Sequence, residues 1–492
     1  MMSLIQVQHL TFGYEGSYEL IFDDVSLTLD TSFKTALIGR NARGKTTFLK
    51  LMMKEYEYQG QIIMSEDCCY FPYEVSDETM LTIDICYEIY PLLQQWELEK
   101  ELHLLDLEGL DIFYRPFMTL SYGERTKVLL ALLFLKKHSF LLIDEPTNHL
   151  DQKSRQIVAQ YLKKQNGFLL VSHDRYFIDQ CCDHIMAINP TTIEVVQGNF
   201  SSWYEDKMKK DEREMMQNKK LEKDIDKMEK SKRQKENWGH QIEKSKIGAA
   251  DKGYVGHMAA KMMKRSKAIE NRQMKAIEEK KKLFKDIEEY DDLKIHCLKY
   301  FQKQLISFDH FSLAYHQKVL FKDLTFTILQ GERVLLKGPN GCGKSSLIRF
   351  VAGEKWEYQG QYTQGSQLKI SYVPQDCSFV QGKLNNWIEK YGTDQTLVKT
   401  LLRKLGFSRS HFDINLENLS QGQKKKIMLA ISLATPAHLY VWDEPLNYID
   451  IFSRMQIEKA ILQFQPTLLF VEHDQFFQKN IATQIVDFEQ LI

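Results

Sequence analysis

A chain of 492 residues is too long for one ordinary core, and its 43% hydrophobic and 27% charged residues are those of a globular protein of two or three folding units. No stretch approaches the roughly 20 apolar residues that span a bilayer, the richest run being Val128 to Leu135, and the N-terminus MMSLIQVQHL has no basic-then-apolar leader, so a cytoplasmic protein without membrane or export segments is expected. The net charge of −1 hides an uneven distribution: twelve Lys/Arg stand against four Asp/Glu between Lys230 and Arg272, while eight scattered cysteines lack metal-ligand spacing and read as reduced thiols.

In chain order, β-like alternation (LIQVQHLTFGY) is followed by a predicted strand, Lys34 to Ile38, that ends at GRNARGKT, residues 39 to 46. A second apolar strand, Phe140 to Ile143, ends at Asp-Glu-Pro. The pattern returns later: QLISFDHFSLAY, a strand Arg333 to Lys337, GPNGCGKS at 338 to 345, and a strand Leu439 to Trp442 ending again at Asp-Glu-Pro. The glycine-rich loops, LSYGE and LSQGQ, and the two Asp-Glu pairs are separated by 299 positions, and SHD and EHD by 300. The chain is therefore a duplicated domain, spanning 1–204 and 303–492, and strands alternating with helices predict an α/β fold with ligands at the carboxyl ends of the strands. Between the repeats, residues 205–302 contain no proline; apolar residues at helical spacing (Leu221, Ile225, Met228; Ile277, Phe284, Ile287) flank a cluster of Gly239, Gly248, Gly253 and Gly256. An antiparallel hairpin of two helices of about 35 residues, on the order of 50 Å long, is predicted.

The pattern G-x-x-x-x-G-K-[ST] binds phosphates: its glycines let backbone N–H groups curl around them, the lysine (Lys45, Lys344) neutralises charge, and the hydroxyl (Thr46, Ser345) ligates Mg²⁺. Gly39, Asn41, Gly44 and Thr47 in the first loop, and Gly338, Asn340, Gly341, Gly343 and Ser346 in the second, complete the expected ATP contacts. Each strand-end Asp (Asp144, Asp443) suits the Mg²⁺ shell, and each adjacent Glu (Glu145, Glu444) can orient or deprotonate the attacking water.

LSYGE and LSQGQ resemble the signature of ATP-binding-cassette ATPases. That resemblance implies D-loops at Asp151 and Asp450, switch histidines at His173 and His473, and adenine-stacking tyrosines at Tyr14 and Tyr315. It further implies that the cassettes close head to tail within one monomeric chain. Gly39 to Thr46, Asp144, Glu145 and His173 would face Ser420 and Gly422; Gly338 to Ser345, Gln375, Asp443, Glu444 and His473 would face Ser121 and Gly123, with Gln375 joining Ser345 and Asp443 at the metal. Tyr73 of YFPYE stands where the second half has Gln375, and Ala42-Arg43 where it has Gly341-Cys342, so the first site is expected to hydrolyse more slowly.

Paired cassettes, a charged linker and the GNFSSW lead-in at 198–203 resemble the ABC-F family of translation-associated ATPases, most closely its Lsa-type antibiotic-resistance branch. The resemblance implies ATP-dependent entry into the E site of the 70S ribosome, with the linker tip directed at ribosomal RNA and the P-site tRNA, and displacement of lincosamide, pleuromutilin and streptogramin A drugs. Lys244, Lys246, Lys252, His257, Lys261, Lys264 and Arg265 would contact phosphates, and Trp238 and Tyr254 would stack on bases. A housekeeping translation factor shares every motif; a transporter ATPase subunit or a chromosome ATPase fits the linker less well.

Overall fold

The computed structural model describes the chain except residues 1–2, 16–19, 42, 137, 149, 190–191, 245–291, 316–317, 413 and 491–492. Residues 1–201 and 290–492 form one compact unit holding both cassettes, and residues 202–289 form a second.

In the first cassette six strands lie in the order Asp67–Phe71, Ser139–Asp144, Phe168–Val171, Lys34–Ile38, His184–Ile188 and Ile193–Gln197, parallel except for the last pair. In the second, five parallel strands run Ile370–Val373, Leu439–Asp443, Leu468–Val471, Arg333–Lys337 and Gln484–Asp487. Phe168–Val171 and Leu439–Asp443 are buried at every residue, as central parallel strands covered on both faces must be. A three-stranded antiparallel sheet covers one face of each (Phe22–Asp30, Leu4–Phe12, Gln59–Ile63; Lys318–Leu329, Gln304–Tyr315, Glu357–Gln364). Phe12, Phe48 and Leu142 fill the first interface; Phe308, Phe311 and Phe350 fill the second. The α/β architecture read from the duplicated pattern is thus present in both halves.

LSYGE and LSQGQ start helices as capping boxes. Ser121 Oγ accepts from Glu124 N (3.2 Å) and Glu124 accepts from Ser121 N (2.7 Å), ahead of helix Tyr122–Leu135. Ser420 and Gln423 do the same for helix Gln421–Ala434. Two otherwise unpaired amides are satisfied at each helix start.

Composition and helical spacing between the repeats point to a linker over 205–302, and the described residues differ at both edges. Helix Phe200–Lys244 begins earlier than predicted and runs 45 residues, about 67 Å at the helical rise. The hairpin's tip and return arm lie outside the described residues. At the other edge, residues 292–300 belong to the second cassette: Leu293 and Ile295 enter its core, His296 and Leu298 donate to the carbonyls of Leu433 and Ala437, and Tyr440 Oη donates to His296 O at 2.9 Å. A polar composition concealed a segment that alternates inward Leu293 and Ile295 with outward Lys294 and His296. Leu293→Ala is expected to destabilise this unit by about 2–5 kcal/mol, read from its urea unfolding midpoint. A surface linker residue would leave the midpoint unchanged.

Candidate functional site

Each glycine-rich loop folds around its own lysine. Lys45 Nζ donates to Gly39 O (2.8 Å) and Arg40 O (3.2 Å), and Lys344 Nζ to Gly338 O (2.9 Å) and Pro339 O (2.6 Å). Both are buried, and burial lowers the Lys45 pKa. The following helices, Lys45–Met52 and Lys344–Val351, have no side-chain cap, so their first amides remain open to an anion. Gly44 (φ 85°) and Gly343 (φ 95°) make that turn, and a Cβ at Gly44 would lie 2.5 Å from Ile21.

Thr46 Oγ1 donates to Asp144 Oδ2 at 3.0 Å, and Ser345 Oγ to Asp443 Oδ1 at 3.1 Å. Asp443 Oδ2 is buried without a hydrogen-bond partner. Burial and then the neighbouring Glu444 push Asp443 up to about 6, against Lys425, so a cation at its free oxygen would favour the ionised form. A hydroxyl and an all-oxygen carboxylate beside a phosphate loop fit Mg²⁺, a hard ion that takes few protein ligands. Glu145 and Glu444 follow with left-handed backbones (φ 51° and 46°), a costly conformation that directs the two carboxylates alike. His173 Nε2 lies 3.4 Å from Glu145 Oε1, and His473 Nε2 lies 3.5 Å from Glu444 Oε1.

The two halves meet head to tail. A cleft of about 640 Å³ is lined by Ser121, Gly123 and Asp151 of the first cassette, by Asn340, Gly341, Gly343 and Lys344 to Ser346 of the second, and by its Gln375, Glu444 and His473. A smaller cleft of about 200 Å³ gathers Asn41, Gly44, Lys45, Thr46, Thr47, Asp144, Glu145 and His173. There the partner half approaches closely: Asn41 Nδ2 donates to Tyr448 O at 3.0 Å, and a Cβ at Gly422 would lie 2.5 Å from that carbonyl and 3.4 Å from Asn41 Nδ2. Tyr14 is 44% exposed; its hydroxyl bonds Thr47 Oγ1 at 2.8 Å and its ring meets Phe12 and Tyr56 edge-on. The Tyr315 side chain lies outside the described part, although its backbone ends a strand. Of the expected RNA contacts, Trp238 and Lys244 lie on helix Phe200–Lys244 with side chains not described, and Lys246, Lys252, Tyr254, His257, Lys261, Lys264 and Arg265 lie outside the described residues.

The sites differ electrostatically. Burial and Asp144 push Glu145 up to about 8, against Arg454 and Lys45. Burial raises Glu444 too, but its hydrogen bond and charge interaction with His473, the Lys425 ammonium and the Gln375 amide outweigh it and hold the carboxyl at about 2. Lys425 donates to Pro374 O, Gln375 O and Asp443 O at 2.7–3.2 Å; Thr126 occupies its place in the first half. Instead of a glutamine, Tyr73 stands half-buried with its buried hydroxyl lacking a hydrogen-bond partner and Lys136 4.7 Å over its ring. Tyr70 Oη donates to Asp144 Oδ2 at 3.1 Å, and buried His173 is held well below the ordinary histidine range, by burial first and then by Lys45 and Arg454. Motif reading missed Tyr70, Lys425 and Tyr448. Aligning the halves at the 299-residue offset exposes the Thr126/Lys425 difference, but nothing local marks Tyr448, whose backbone makes the contact.

The family described as "ABC transporter" matches residues 22–148 and 321–447. The chain belongs to the ATP-binding-cassette family. Among curated proteins it is similar to "Ribosome protection protein VmlR" of Bacillus subtilis (29% identical, covering 96% of this chain and 85% of that protein) and to "Energy-dependent translational throttle protein EttA" of Escherichia coli (25%, covering 95% and 89%). With two cassettes and no described helix long and apolar enough to cross a membrane, it stands with these as an ABC-F protein; the resistance-type branch expected from the sequence agrees with the ribosome-protection relative. Its fold resembles that of archaeal ribosome recycling factor aABCE1 (TM-score 0.63, 17% identity, covering 97% of this chain and 87% of that one) and of "RNase-L Inhibitor" (0.61, 18%, 98% and 87%).

Asp450 is fully buried, with Lys426 Nζ at 2.6 Å. Burial alone would raise its pKa, but the Lys426 charge and hydrogen bond win and hold it far below the ordinary 3.8. A depressed carboxylate stabilises the fold above its unfolded pKa, and that contribution is lost as the pH falls below about 4. Lys426→Met should therefore cost about 3–5 kcal/mol in urea unfolding at pH 7, with the deficit shrinking below pH 4. A deficit independent of pH would contradict the ion pair.

Proposed function

We propose that this chain is an ATP-hydrolysing ABC-F protein of the cytoplasm whose ATP-closed form binds the 70S ribosome and protects its peptidyl-transferase centre from lincosamide, pleuromutilin and streptogramin A drugs. The observation that carries the ATPase reading is the cleft in which one half's signature residues, Ser121 and Gly123, line the other half's phosphate loop. Two ATP molecules would each join both cassettes. The loop amides with Lys45 or Lys344 bind the phosphates; Ser121 and Gly123, or Ser420 and Gly422, close from the opposite half. Thr46 with Asp144, and Ser345 with Asp443 and Gln375, would hold Mg²⁺, which supplies charge neutralisation at the phosphates. Glu444 accepts a proton from the attacking water while its oxygen bonds to the terminal phosphorus and the bridging bond to ADP breaks; His473 steadies Glu444.

Burial and Asp144 push Glu145 up to about 8, so it is mostly protonated at pH 7 and a poor proton acceptor, whereas Glu444 is ionised at that pH. At pH 7, Glu444→Gln is expected to lower steady-state turnover roughly 10-fold or more and Glu145→Gln far less, the two converging as the pH rises past 8. Equal losses at pH 7 would show the sites to be equivalent.

Likeness to a protein named for ribosome protection supports the biological reading over a housekeeping translation role, which likeness to the translational throttle protein keeps as the second reading. The Glu145→Gln/Glu444→Gln protein, which should hold ATP without turnover, is expected to co-sediment with 70S ribosomes only when ATP is present. Its absence from ribosomes despite ATP binding would remove the ribosome as partner. Raised drug resistance on expression would separate protection from a housekeeping role.

A further inference from the structure

We propose that Arg175 is a one-sided latch between the cassettes, a positioning residue that couples the two nucleotide sites through their switch regions. It rests on the chain having two composite ATP sites.

Arg175 follows His173 and Asp174 and opens helix Arg175–Cys181 in the first cassette. Its Nη2 lies 3.0 Å from Glu458 Oε2 and 3.8 Å from Asp474 Oδ1, both in the second cassette and, like Arg175, buried. The guanidinium carbon sits 5.1 Å over the Phe476 ring, which Tyr176 meets edge-on. Asn480 donates to Glu458 Oε1 at 2.9 Å and fixes the receiving carboxylate.

The contact leads onward. Asp474 adjoins His473 and accepts from Arg454 Nη1 at 3.1 Å, while Arg454 Nε donates to Ile449 O, just before Asp450. Arg175 thus joins the first switch region to the second through a chain of buried charge that ends beside Asp450.

The internal repeat shows that this latch is not part of the common cassette plan. Arg155–Asp174 and Arg454–Asp474 occur in both halves. Arg175, however, has Gln475 as its counterpart, and Glu458 has Ala159, so the pseudosymmetric side lacks both charges. Arg175 Nη2 reaches ion-pair distance of Glu458, yet neither it nor the buried Nε has an aligned hydrogen-bond acceptor. A buried guanidinium satisfied by charge but not by geometry is costly. Such a contact is held by closure of the cassettes and released to water when they part, which makes it a two-state element that both sites can bias.

The test is binding of a non-hydrolysable ATP analogue to the full chain, fitted for the Hill coefficient, with turnover of ATP by the unaltered protein measured in parallel. The unaltered protein should bind with a coefficient above 1. Arg175→Gln should bring it to 1 and raise the half-saturating concentration roughly 5-fold or more, Arg175→Lys should retain cooperativity, and Arg175→Gln/Glu458→Gln should lose no more than Arg175→Gln. Glu458→Gln, which leaves Arg175 in place, carries the same expectation if Arg175→Gln does not fold. A purely structural role would lower the unfolding temperature and leave the coefficient unchanged. Unchanged cooperativity in either neutral variant, or non-cooperative binding by the unaltered protein, overturns the latch; failure of turnover alone would strike the ATPase reading instead.

Discussion

A lysine ammonium buried in the curl of its own loop has given up water and gained hydrogen bonds to neutral acceptors alone. Lys45 and Lys344 are both in this position, each at the mouth of a helix whose first amides have no side-chain acceptor. Positive charge and unsatisfied donors point into one small volume, and only an anion relieves both. The left-handed glycines, the buried strands that end beside the loop and the carboxylates facing its hydroxyl all serve to hold that imbalance in place. The opposite cassette then supplies the remaining walls.

Because burial raises the cost of every charge, small differences around the carboxylates become large differences in protonation. Glu145 and Glu444 share backbone conformation and histidine distance, yet one holds its proton at neutral pH and the other does not. The contrast comes from burial and Asp144, which hold the proton on Glu145, against His473, the Lys425 ammonium and the Gln375 amide, which hold Glu444 ionised; Thr126 and Tyr73 stand in the places of Lys425 and Gln375 in the first half. Nearly identical frames can therefore hold two equivalent carboxylates in different protonation states.

Much of this was legible in the residues. The glycine-rich loops and the Asp-Glu pairs each have one spacing that works, so the two repeats and their sheets could be foreseen, and the opposition of Ser121 to the second loop followed from the resemblance of LSYGE and LSQGQ to the cassette signature. What escaped depends on distant partners. The 292–300 segment looks like linker because its outward residues are polar, and only the cassette core shows where Leu293 and Ile295 go. Tyr448 contributes a carbonyl, which side-chain chemistry cannot advertise, and Arg175 is one arginine among many until Glu458 is placed beside it.

Carrying both cassettes on one polypeptide has a consequence for symmetry. In a dimer of identical chains every substitution appears on both sides of the axis, so the two nucleotide sites are bound to change together. Here each position exists once. Tyr73 and Gln375, Thr126 and Lys425, and Ala159 and Glu458 have separated without either having to suit the other's location. Two unequal copies on one chain free the axis from its own symmetry, and a machine whose halves need not act alike can be given an order of operations.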